Sequence, residues 1–97
     1  MGLITYKLAF REEALREWRK LDSSVRTQFK KKLLERLELP RIESARLSGQ
    51  KDRYKIKLRQ AGYRLVYEVH DTNVTVVVVA VGKRERNAIY KIAAKRL

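Results

Sequence analysis

The chain has 97 residues, 44% of them hydrophobic, with a net charge of +13, one histidine and no cysteine. This length allows one domain over residues 1–97 with a single modest core, and the absence of thiols excludes disulfides and thiolate metal sites. A lone histidine cannot build a structural zinc site, and a catalytic one would need two or more carboxylates beside it, so no metal and no cofactor are expected.

Residues 1–40 carry ten Lys/Arg against six Asp/Glu, and residues 41–97 carry fourteen against five, so the second half holds +9 of the +13. A field of that sign speeds encounter with phosphate backbones and makes binding salt-dependent. The longest apolar run, Val76–Val81, is too short to cross a bilayer, and no segment joins a basic face to exposed Trp and Phe. Nucleic acid is therefore favoured over a membrane. No signal peptide is read, and a cytoplasmic location is expected.

In chain order, Leu3–Phe10 reads as a first strand, followed by a helix over Glu12–Leu21 with Ala14, Leu15, Trp18 and Leu21 at helical spacing. Asp22-Ser23-Ser24 offers N-cap side chains for a second helix, whose apolar stripe of Val25, Phe29, Leu33, Leu34 and Leu37 ends at Pro40. The short joint predicts an αα-hairpin showing Arg26, Lys30, Lys31 and Arg36 on its outer face. Periodicity is lost over Arg41–Gln50, and Ser48-Gly49 marks a loop.

Arg53-Tyr54-Lys55-Ile56-Lys57-Leu58-Arg59 then alternates basic and apolar throughout. As a strand it sends Tyr54, Ile56 and Leu58 to one face and the cations to the other. Gln60-Ala61-Gly62-Tyr63 turns the chain, and a register pairing Arg59 with Arg64, Leu58 with Leu65, Ile56 with Tyr67 and Tyr54 with Val69 keeps the large apolar residues together. It gathers Arg53, Lys55, Lys57, Arg59 and Arg64 on the opposite face, beside Glu68 and His70. Asp71-Thr72-Asn73 turns into Val74–Val81, a strand buried largely on both faces and ended by Gly82, with Val77, Val79 and Val81 on the cation face. A last helix over Ala88–Leu97 points Ile89, Ile92, Ala93 and Leu97 inward, with Tyr90 on a neighbouring stripe within reach of the charged face. The predicted class is α+β: an N-terminal strand, an αα-hairpin, an antiparallel three-stranded meander joining the first strand in one sheet, and a C-terminal helix.

Four like charges along about 20 Å repel one another, a cost that a polyanion partner offsets. The usual catalytic groupings are missing. His70 falls at a hairpin end, and the four glycines, Gly2, Gly49, Gly62 and Gly82, lie too far apart for a phosphate loop. Any catalysis must come from Lys, Arg and Tyr.

Leu15-x-x-Trp18-Arg19-Lys20-Leu21, Leu39-Pro40-Arg41-Ile42-Glu43, Tyr54-Lys55-Ile56-Lys57-Leu58-Arg59, Gly62-Tyr63-Arg64-Leu65-Val66-Tyr67 and Val81-Gly82-Lys83-Arg84-Glu85-Arg86 together resemble the RelE toxins of bacterial toxin–antitoxin systems. The resemblance spans nearly the whole chain in order. It implies a microbial-RNase-like fold and a ribosome-dependent endoribonuclease that cuts mRNA in the A site and so inhibits translation. It also implies a RelB-like antitoxin, operator DNA bound only through the antitoxin complex, and a bacterial, phage or plasmid origin. The family's functional residues fall on Lys55, Lys57, Arg64, Arg84 and Tyr90. Ser48 stands where some relatives carry a basic residue.

Cleavage through the RNA 2′-OH needs a base at that oxygen, positive charge for the equatorial phosphate oxygens and an acid for the departing 5′-oxygen. Lys57 is assigned as general base, its pKa lowered by Lys55, Arg59 and Arg64, with Lys55 as a second candidate. Arg64 would stabilise the charge developing on the phosphorus oxygens, and Arg84 would donate at the leaving oxygen, mainly electrostatically. Tyr90 would stack on a codon base or orient the 2′-OH. Arg19, Arg26, Lys30, Lys31, Arg53, Arg59, Lys83 and Arg86, with Arg16 and Lys32, are candidate contacts to RNA and the 70S ribosome, or a solubilising face. Two alternatives remain open: a ParE-like gyrase poison, which has no need for Lys55, Lys57, Arg64 and Arg84 together, and a non-enzymatic nucleic-acid-binding module.

Overall fold

In the computed structural model, which describes residues 4–97, the elements run β1 (Lys7–Phe10), α1 (Glu12–Arg19), α2 (Ser23–Glu38), a 3₁₀ turn (Glu43–Ala45), β2 (Arg53–Leu58), β3 (Tyr63–His70), β4 (Thr75–Lys83) and α3 (Ala88–Lys95). The sheet order is β1-β4-β3-β2, with β1 parallel to β4 and the other pairs antiparallel. This is the expected α+β arrangement. The first strand begins at Lys7, and Leu3, where it was expected to begin, lies outside the described residues.

The valine run of β4 sits inside the sheet because it is apolar on both faces and β-branched at all but Ala80, which suits a strand with a neighbour on each edge and a layer on each side. One side carries the α1–α2 hairpin. There Ala14, Leu21, Val25, Phe29, Leu33 and Leu37 pack against Tyr54, Ile56, Leu65, Tyr67, Val76 and Val78. Trp18 lies between Phe10 and Phe29, at ring separations of 5.2 and 6.3 Å. The other side carries α3, where Ile89 and Ala93 meet Leu47, Val66, Val79 and Ala80.

Several expectations need correction. Asp22 takes the N-cap position of α2 but makes no side-chain capping bond. Leu34 leaves the apolar stripe and is 55% exposed, because the sheet covers only the narrower seam of Phe29, Leu33 and Leu37. Arg36 turns inward, donating to Tyr67 Oη at 2.8 Å and Lys55 O at 3.2 Å. It sits one turn beyond Leu33, on the buried side of the helix. On α3, Ile92 stands at the rim and Leu97 is 97% exposed, since the helix ends at Lys95.

The β2–β3 register differs from the expected one by two residues: Tyr54 faces Tyr67, Ile56 faces Leu65, Lys57 faces Arg64 and Leu58 faces Tyr63. The turn sits one residue earlier, over Arg59–Gly62, because Gly62 takes a φ of 75° and its N–H donates to Leu58 O at 2.8 Å. A shift of two preserves parity, so each side chain keeps its predicted face.

A β-bulge opposite Val66/Tyr67 inserts Val79 as an extra residue of β4. Beyond it the alternation is reset, so Val81 joins the hairpin-side core and not the cation face. Gly82 does not end the strand, which continues to Lys83. A Cβ built on Gly82 would lie 2.7 Å from Ile89 Cδ1. Gly82→Ala is therefore expected to lower stability by about 1 kcal/mol despite removing a strand glycine. A urea midpoint that rises would show that Ile89 clears the methyl and that close approach does not constrain this position.

Candidate functional site

The site grows out of the β2–β3 ladder. Lys57 and Arg64 are direct cross-strand partners, Arg64 faces Gly82 on its other side, and Lys55 lies two residues before Lys57 on the same face. The Lys57 ammonium has a pKa below the usual lysine value, first through the charge of Lys55, then through burial, Arg59 and Arg64. Like charges favour losing one proton, so the neutral amine a base requires is easier to reach here than on an isolated lysine.

The α3 helix roofs this face. A tight turn with left-handed Arg86 and Asn87 brings the chain from β4 into α3, and Tyr90 comes to lie against Lys55. Lys55 Nζ stands 5.9 Å from the Tyr90 ring centroid, within cation–π range. Burial pushes the Tyr90 hydroxyl above its ordinary pKa, and the charge of Arg64 opposes that rise. Tyr90 Oη is enclosed with no hydrogen-bond partner among the described residues. Arg64 is itself buried, its Nη1 donating to Tyr63 O at 3.0 Å. Arg84 follows β4, its backbone N–H held by Gly62 O at 2.7 Å and its side chain exposed. It lines an open hollow with Glu85, Arg86, Ala88 and Lys91.

Lys55, Lys57, Arg64 and Tyr90 are thus brought together, with Arg84 anchored by its backbone to the β2–β3 turn. Two lysines, one with a lowered pKa, beside a guanidinium and an aromatic ring provide a proton acceptor, charge stabilisation and a stacking surface without a metal ion. Arg19, Lys30, Lys31, Arg59, Lys83 and Arg86 are exposed. Lys30 and Lys31 project from α2, on the opposite layer from the lysine pair. Arg26 is half-buried and donates to Arg19 O and Leu21 O, tying the hairpin joint. Arg53 does not join the exposed row. It is 5% exposed and its guanidinium is held internally by Glu68 and the end of α3. Sequence reasoning missed Gln50, whose Nε2 donates to Tyr90 O at 3.1 Å from a loop that carried no periodic signal. It also missed the bidentate Arg96–Glu17 pair, at 2.9 Å for both bonds, which ties the end of α3 to α1.

A family model described as the ParE toxin of the type II toxin–antitoxin system parDE matches residues 8–88, which defines the class: toxins of type II toxin–antitoxin systems. Over 94 residues the chain is 60% identical to the mRNA interferase toxin RelE of Escherichia coli strain K12, covering 97% of this chain and 99% of that protein. Among solved structures it is similar to a variant of E. coli RelE in the free state, with a TM-score of 0.88 and 58% identity over 96% of this chain and 98% of that one. It is also similar to the toxin of the intact E. coli RelBE toxin–antitoxin complex, with a TM-score of 0.80 and 63% identity over 84% and 99% of the two chains. The chain belongs to the RelE family of toxins. Among the described residues, no helix is long and apolar enough to cross a membrane.

Proposed function

We propose that this chain, as a single toxin domain, is the toxin of a type II toxin–antitoxin pair and an endoribonuclease that cuts mRNA in the ribosomal A site. The observation that carries the reading is the lysine pair of β2, with Lys57 opposite Arg64 and Lys55 under Tyr90. The 60% identity to a named mRNA interferase supports it.

In the proposed mechanism, Lys57 Nζ takes the 2′-OH proton, with Lys55 as the alternative base. The 2′-oxygen attacks the adjacent phosphorus, and the P–O5′ bond breaks to leave a 2′,3′-cyclic phosphate and a 5′-hydroxyl. Arg64 offers a planar donor fork to the phosphoryl oxygens as they gain charge, and Arg84 stabilises the departing 5′-oxygen, which takes up a proton. Tyr90 holds a base or the ribose in line. Arginine is a weak acid, so this set works slowly on free RNA, and ribosomal positioning supplies several kcal/mol through proximity and orientation.

The partner is a RelB-like antitoxin, whose acidic residues would offset the +13 charge and through which operator DNA is bound. The 70S ribosome and its message are the targets, in the cytoplasm. Exposed Arg19, Lys30, Lys31, Arg59, Lys83 and Arg86 serve as RNA contacts. The family match by itself also admits a gyrase poison, but that activity leaves the gathering of Lys55, Lys57, Arg64 and Arg84 without a use.

Primer extension on a message in stalled ribosomes provides the test. Cuts inside the A-site codon are expected with wild-type protein and not with Lys55→Ala/Lys57→Ala or Arg84→Ala. Equal cutting of naked message would overturn the ribosome requirement, and an uncut message with trapped gyrase–DNA complexes would favour the poison.

A further inference from the structure

Arg53 stands in the basic strand yet is buried, and its neighbours explain why. Its Nε donates to Glu68 Oε2 at 2.7 Å, its Nη1 donates to Gln50 Oε1 at 3.2 Å and to Ala93 O, and its Nη2 donates to Arg96 O. A guanidinium enters a protein interior at tolerable cost only when its donors are met and its charge is paired, and here all three nitrogens are engaged. The accepting carbonyls lie at the C-terminal end of α3, where a helix leaves carbonyls short of partners and where positive charge complements the helix dipole. Gln50, oriented by Arg53, donates to Tyr90 O at 3.1 Å.

One network from Glu68 through Arg53 and Gln50 therefore grips α3 at Tyr90, Ala93 and Arg96. Tyr90 and Ala93 are three residues apart and share a helix face. Holding both fixes the rotation and the axial position of the helix over the sheet. Those two quantities decide where the Tyr90 ring lies relative to Lys55, 5.9 Å away.

We propose that Arg53, with Glu68 and Gln50, is a positioning residue that seats Tyr90 over Lys55 and thereby aligns the cleavage site. The inference rests on the nuclease reading for its catalytic consequence but not for its structural one. Glu68 contributes by orienting the guanidinium, and it also meets His70 at the outer end of the same face.

The test uses full-length Arg53→Met, which keeps side-chain volume and removes the donors. The ring-current shift of the Lys55 Hε protons is read by NMR, with Tyr90→Leu giving the unshifted reference. Cleavage of ribosome-bound message is measured in parallel. Arg53→Met is expected to move the Lys55 signal to the reference position and to lower kcat about 10-fold with little change in KM, since a small misplacement of a reacting group is enough for such a loss. Arg53→Lys, which keeps the charge and part of the donor set, should restore part of both. If Arg53→Met does not fold, Gln50→Ala carries the same expectations at about 3-fold in kcat. An unmoved Lys55 signal or an unchanged kcat overturns the proposal. Wild-type protein that leaves ribosome-bound message uncut overturns the nuclease reading instead, and the NMR signal still decides whether Arg53 seats Tyr90.

Discussion

Lys57→Ala is expected to lower kcat on ribosome-bound message by about 10²–10⁴-fold, the range a positioned general base contributes. The sign of the pH dependence follows from the cause of the lowered Lys57 pKa. In the proposed mechanism the base acts as the neutral amine, so the rate should rise with pH as Lys57 loses its proton and level off above its pKa. Lys55 is the largest contributor to that lowering. Lys55→Ala should therefore move the rising limb to higher pH, toward the ~10.4 of an isolated lysine, besides lowering the rate. Lys55→Arg, which keeps the charge, should leave the limb near its wild-type position. A limb that disappears in Lys55→Ala would remove Lys57 as the titrating base and leave Lys55 as the candidate, whereas one that stays in place would show that the charge of Lys55 does not set the titration.

Phe29→Ala should have the largest effect on stability. Phe29 is fully buried under the sheet and meets Trp18 at 6.3 Å. Truncating such a ring costs about 3–5 kcal/mol, a large share of the ~5–15 kcal/mol that holds a small domain together. For a chain of this size the melting temperature should fall by roughly 20 °C. Leu34, five residues on in the same helix, is the control. It is 55% exposed, and Leu34→Ala should stay within about 0.5 kcal/mol of wild type. Similar losses at both positions would mean that α2 is rotated relative to the packing described above.

Local pattern determined much of this protein. Alternation along Arg53–Leu58 placed Lys55 and Lys57 together and Tyr54 and Ile56 opposite, because successive strand side chains point to opposite faces whatever the partner strand does. An error of two in the β2–β3 register therefore left the candidate site legible. The apolar β4 run likewise announced a strand covered on both sides, and helical spacing found Phe29 and Leu33.

Closure of the fold decided what pattern could not. The bulge at Val79, which a uniform valine run does not announce, moved Val81 to the opposite face. Arg36 and Arg53 looked like surface cations because a guanidinium is normally solvated. Arg53 is buried and Arg36 half-buried because distant groups, Glu68 with the α3 carbonyls in the first case and Tyr67 and Lys55 O in the second, complete their hydrogen bonds. Gln50 gave no signal, since its acceptor lies 40 residues away on α3. Face and period are properties of the local chain, whereas burial of a charge depends on partners that only tertiary contact supplies.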